Sequence, residues 1–171
     1  MRTFLLLAVL LSGALSAQAQ VVFPQSHFGI WQGTLYISAP GARQPQKTPM
    51  KLTIDSLRGK SNRYAFYIQY GDQPARNYEL VIVDPVRGLC QIDEKDGIVL
   101  SATQLGNRLI SQFSVGTNLI TTTYTFGART VEFDLVFTGT KTTRTGPAKQ
   151  PVLVYPATNH QYAELTRAGS R

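Results

Sequence analysis

The feature that most constrains this chain is a short run of alternating apolar and polar residues, followed by a turn, recurring roughly every eight to twelve residues. Successive side chains of a strand point to opposite faces, so each run presents one apolar face and one polar face. Met50 to Leu57 is the clearest case: Met50, Leu52 and Ile54 face one way, and Lys51, Thr53 and Asp55 the other. Tyr64, Phe66, Ile68 and Tyr70 share a face in the next run, and Val131, Phe133, Leu135 and Phe137 share one further on. No segment between Gln20 and the carboxyl end sustains a helical period.

Runs of this kind begin at Gly29, Met50, Arg63, Tyr78, Leu89, Ile98, Arg108, Leu119 and Val131. Turn chemistry separates them, including Gly59-Lys60-Ser61-Asn62, Asp96-Gly97 and Gly106-Asn107. Val152 to Tyr155 is a candidate tenth strand. Two stretches break the rhythm. Ser38 to Pro49 carries three prolines and reads as a loop, and Gly139 to Pro151, rich in Thr, Lys and Arg, reads as a mobile connection. The tail from Asn159 to Arg171 suggests one helical turn around Tyr162 and Leu165. The expected fold is all-β: an antiparallel up-and-down barrel of 8–10 strands, with a β-sandwich as the alternative.

The amino end has the form of a bacterial-type signal peptide. Met1 and Arg2 form a positive start, Phe4 to Leu11 an apolar core, and Ala17-Gln18-Ala19 a small-x-small cleavage pattern. Cleavage is expected near Ala19-Gln20, which divides the chain into a leader (1–19) and a single domain (20–171) in the periplasm or outside the cell. The apolar run is shorter than the roughly 20 residues a spanning helix needs. A lone cysteine, Cys90, permits no internal disulfide; it reads as a small buried hydrophobe or as a free thiol open to pairing.

Seventeen Lys and Arg, one of them Arg2 in the leader, stand against ten Asp and Glu. The cations are scattered without a like-charge run or an aromatic RNA-binding motif, which argues against nucleic acid as a partner. The two histidines, His27 and His160, lie far apart, and no metal-ligand spacing, cysteine pair or nucleophile elbow is present. Asp93, Glu94 and Asp96 read as a solvated hairpin turn. These absences lead to an expectation of no metal, no cofactor and no catalytic residue.

Gly29-Ile30-Trp31, at the start of the first strand, resembles the Gly-x-Trp signature of lipocalins and related calycin barrels. The Thr-Asp-Tyr motif of that family is missing; Asp84-Pro85-Val86-Arg87 is only a distant echo. The resemblance implies that Gly29 and Trp31 anchor the closed end of a barrel, with an arginine from near the last strand across the indole. Arg144 is the first positional match and Arg167 the second. It also implies a small apolar ligand inside, for which the inward side chains Tyr64, Phe66, Ile68, Phe113, Phe133, Leu135 and Phe137 are the candidate lining residues. The leading expectation is therefore an exported, non-catalytic binding protein for a small, mostly apolar molecule, without stable membrane insertion. The alternatives are a ligand-free interaction module, using Thr121, Thr123 and Thr125 or the two long loops, and an outer-membrane barrel.

Overall fold

A computed structural model describes residues 23–169; the leader and its cleavage site lie outside the described residues. After a 3-10 turn at Gln25–His27 the chain forms β1 (Gly29–Ser38), β2 (Gln46–Ser56), β3 (Arg63–Tyr70), β4 (Arg76–Asp84) and β5 (Leu89–Asp93). It continues through β6 (Val99–Leu105), β7 (Arg108–Val115), β8 (Asn118–Phe126), β9 (Thr130–Gly139), β10 (Thr143–Thr145), β11 (Val152–Val154) and β12 (Ala157–Arg167). Ten of these close into an antiparallel barrel in the order β1-β12-β9-β8-β7-β6-β5-β4-β3-β2. Closure leaves no free edge in the main sheet. Strands β1 to β9 form a simple up-and-down meander, so the barrel expected from the alternating pattern is the fold observed.

Most of the differences from expectation concern the last third. Ala157–Arg167 is not helical but is the closing strand, pairing with β1 on one side and β9 on the other. Two open edges flank this segment, and its alternation fits them, with Ala163 and Leu165 turned into the core. Val152–Val154 is a strand, yet it pairs only with β10, in a two-stranded ribbon outside the barrel. The stretch from Gly139 to Pro151 is therefore half of a hairpin rather than a plain loop. The first loop is shorter than its prolines suggest, since β2 begins at Gln46 and Pro49 pairs opposite Thr34 inside it.

One end of the barrel is packed solid. Trp31, Leu52, Ile54, Phe66, Leu80 and Leu165 have essentially no exposure there, and Val131, Leu109 and Phe133 join them. Phe23 packs on Phe126 at 4.8 Å between ring centroids, with His27 on the same ring at 5.0 Å. The 3-10 turn plugs this end because Trp31 Nε1 donates to His27 O at 2.9 Å and Gln25 Nε2 donates to the Tyr64 hydroxyl at 2.7 Å.

The arginine over the indole is Arg167, the second match, not Arg144. Its guanidinium lies 4.7 Å from the ring centroid and donates to Phe28 O at 2.6 Å. Arg144 sits exposed in β10, opposite Leu153. A cation over an aromatic face is attracted by the ring quadrupole. Gly29 is required beneath it: φ is +134°, and a Cβ would stand 2.9 Å from Arg167 Nη1.

Candidate functional site

The opposite end of the barrel is where space remains. The inward side chains there come from the end of β1, the start of β2, the end of β3, the start of β4 and their counterparts around the ring. A cavity of about 360 Å³ opens at this mouth, lined by Leu35, Ile37, Leu135, Phe137, Gln161 and Arg76 among others. A smaller inner chamber of about 100 Å³ is lined by Ile68, Leu100, Phe113, Tyr124, Phe133 and Leu135, with polar groups between them. Tyr70, Arg76 and Leu135 border both spaces.

A row of small side chains crosses the wall, and two of its members, Ser111 and Thr122, line the inner chamber. Cys90, Ala102, Ser111 and Thr122 are successive register partners across β5, β6, β7 and β8. All four point inward and are nearly buried. The Ser111, Thr122 and Tyr124 hydroxyls make no hydrogen bond to other described residues, yet among the described residues no fully buried side-chain oxygen or nitrogen lacks a partner. Each hydroxyl therefore keeps contact with the chamber. Unpartnered hydroxyls bordering a cavity are the groups that orient a bound molecule.

Charged residues form a collar between the chamber and the mouth. The Arg76 guanidinium stacks 5.3 Å from the Tyr70 ring centroid, and its Nη1 donates to the Tyr78 hydroxyl at 3.5 Å. Burial drives the Tyr70 hydroxyl up to about 12, against the lowering influence of Arg76. Glu94 borders the inner chamber, and burial lifts its carboxyl above the ordinary glutamate value. The hairpin turn that reads as solvated thus turns one acid inward. Its neighbour Asp93 pairs instead with Arg63 on the outer wall.

Of the expected lining residues, Ile68, Phe113, Phe133 and Leu135 border the inner chamber, and Leu135 and Phe137 border the mouth. Tyr64 and Phe66 lie in the packed half and border neither space. The pattern missed Arg76, Tyr78, Ser111, Thr122 and Tyr124. The first two are in phase with Leu80 and Ile82 on β4, and that phase was the available signal. Cys90 points into the core, where burial raises its thiol. Thr121, Thr123 and Thr125 form a half-buried row on the outer wall.

The histidines do not meet. His27 packs in the closed end, where burial lowers its pKa, and His160 pairs with Asp134 on the outer wall at 2.8 Å. Among the described residues no three His, Cys, Asp or Glu side chains gather as a metal site. A larger depression, about 530 Å³, lies outside the barrel, where the outward Gln32, Lys51 and Gln69 help to line it. Its open polar lining is a poor match for an apolar molecule. Among the described residues no helix is long and apolar enough to cross a membrane. No family model matches the chain, and no curated protein matches it.

Proposed function

We propose that this is an exported binding protein that holds a small, mostly apolar molecule in the open half of its barrel, without catalysing a reaction. The observation that carries the reading is the contrast between the two ends. One is packed, with Trp31, Leu52, Ile54, Phe66, Leu80 and Leu165 at zero exposure, while the other keeps a space of about 360 Å³ walled by Leu35, Ile37, Leu135 and Phe137. That size falls within the usual range of small-molecule sites, roughly 300–1,000 Å³. The apolar body would lie against these side chains, and its polar group would meet Arg76, Tyr78 or the chamber hydroxyls. Gly29, Trp31 and Arg167 at the closed end support kinship with lipocalins and other calycin barrels, in which the same trio of roles is found. The leader pattern at residues 1–19 supports export.

An environment-sensitive apolar dye tests the proposal. The native protein should bind it saturably with one-site stoichiometry. Leu135 borders both spaces, so Leu135→Trp should abolish dye binding while leaving the melting temperature nearly unchanged. A full interior would give the reverse: no dye binding, and a mutant destabilised by about 1–3 kcal/mol through over-packing.

A further inference from the structure

The ribbon of β10 and β11 is built between β9 and β12, so it rises from the rim of the open mouth. Its root is fixed: Gly139 N donates to Pro156 O at 2.9 Å, and Thr140 N donates to Thr117 O at 3.0 Å. Beyond that root the ribbon carries four consecutive large apolar residues in the open. Val152, Leu153, Val154 and Tyr155 are 49%, 52%, 46% and 49% exposed. Strand alternation places Val152 and Val154 on one face of the ribbon and Leu153 and Tyr155 on the other.

The charge around them has a single sign. Lys141, Arg144 and Lys149 are all exposed, and no Asp or Glu occurs from Leu135 to Ala163. The β1–β2 loop lies against the ribbon root, with Ala39 and Pro40 beside Ala157 and Asn159. It brings exposed Arg43 to the same side of the rim, and Lys47 follows at the start of β2. The acids at this end lie across the mouth in strand order, Asp72 in the β3–β4 turn and Glu94 and Asp96 in the β5–β6 turn.

We propose that the ribbon docks the open end of the barrel onto an anionic lipid surface. Apolar side chains on both faces favour a fluid occupant, because a folded partner covers one face of a ribbon and a headgroup layer surrounds both. The cations would meet anionic headgroups, and Tyr155 suits the interface, having an apolar ring and a polar tip. Among the described residues the outer edges of β10 and β11 pair with no other strand. Unsatisfied backbone groups are costly in hydrocarbon, so the ribbon enters only to the depth of the headgroups. The docked mouth then faces the bilayer.

Co-sedimentation of the purified chain with vesicles tests this directly. Vesicles of equimolar phosphatidylcholine and phosphatidylglycerol should bind it, phosphatidylcholine alone should bind it far less, and added salt should release it. Replacing Lys141, Arg144 and Lys149 together by Glu should weaken binding by at least about 100-fold, at a fewfold or more per charge. Replacing Val152, Leu153 and Val154 by Thr should also weaken it, with the salt dependence kept. Both variants change exposed residues outside the barrel, so unaltered melting temperatures confirm folding. Failure of the native chain to bind anionic vesicles, or binding by either folded variant equal to the native chain's, overturns the proposal. A ribbon that captures proteins but not vesicles overturns it as well.

Discussion

Gly33→Ala is the sharpest test of how the barrel closes. Gly33 lies on the inward side of β1, between Trp31 and Leu35, and pairs with Leu165 of β12 and Met50 of β2. A Cβ at this position would stand 2.2 Å from the Glu164 carbonyl oxygen and 3.1 Å from Leu165 Cδ2. The leucine can rotate, but the carbonyl belongs to the backbone of the closing strand. To regain even a tight contact the seam must open by about 1 Å, disturbing the ladder that joins β1 to β12. Over-packing costs about 1–3 kcal/mol, and the rigid partner puts this substitution at the upper end. A protein of this size loses about 2–4 °C of Tm per kcal/mol, so Gly33→Ala should melt roughly 6–12 °C lower.

Gly139→Ala provides the control. The Cβ added there meets Thr158 Cγ2 at 3.4 Å and Pro156 Cγ at 3.6 Å, ordinary contact distances. Its stability should stay within about 0.5 kcal/mol of the native value. Scanning calorimetry or thermal circular dichroism reads both. Equal melting temperatures for Gly33→Ala and the native protein would refute the close β1–β12 approach. Equal losses in the two variants would show that glycine removal, rather than the seam, is responsible.

Two further predictions concern stability. Trp31→Ala should cost about 3–5 kcal/mol, as expected for a fully buried aromatic, and a denaturant midpoint matching the native one would place the indole outside the core. Glu79 is only one-tenth exposed on the outer wall, where burial pushes its carboxyl up but hydrogen bonds from Lys60, Arg63 and Lys95 outweigh that and hold it at about 2. A depressed folded pKa gives stability that is complete above the ordinary value of 4.5 and is lost as pH falls toward 2. The half-exposed lysines screen the effect, so Glu79→Gln should remove about 1–2 kcal/mol at neutral pH and flatten the acid limb of the stability curve. An acid limb unchanged in Glu79→Gln would show that other carboxylates control it.

The barrel was legible because alternation is a local signal repeated nine times, each run announcing which side chains face inward. Met50, Leu52 and Ile54, or Phe133 and Leu135, needed no knowledge of their neighbours. The closing strand was harder to read. Thr158 to Gln161 is wholly polar, and only Ala163 and Leu165 mark its buried face, because its stability comes from pairing on two sides rather than from its own apolar content. Arg167 could not be preferred to Arg144 for a related reason. Which arginine reaches Trp31 depends on whether the chain passes through a ribbon or a barrel strand, and each arginine directly follows a threonine.

The site was less legible because a cavity belongs to no single strand. Cys90, Ala102, Ser111 and Thr122 are each unremarkable where they stand, far apart in the chain. Only the register places them side by side, and only then do Ser111 and Thr122 fall together on the wall of the chamber. Along β8 the inward side chains run from Ile120 and Thr122 near the mouth to Tyr124 and Phe126 at the closed end. Side-chain bulk therefore grows toward Trp31, and hydroxyls lie at the level where packing gives way to space. Trp31, Phe66, Phe126 and Phe133 stabilise the closed end and need not yield to a guest. The remaining space lies at the open end beside the Arg76 collar, so a molecule bound as proposed would leave the packing that keeps the barrel closed undisturbed.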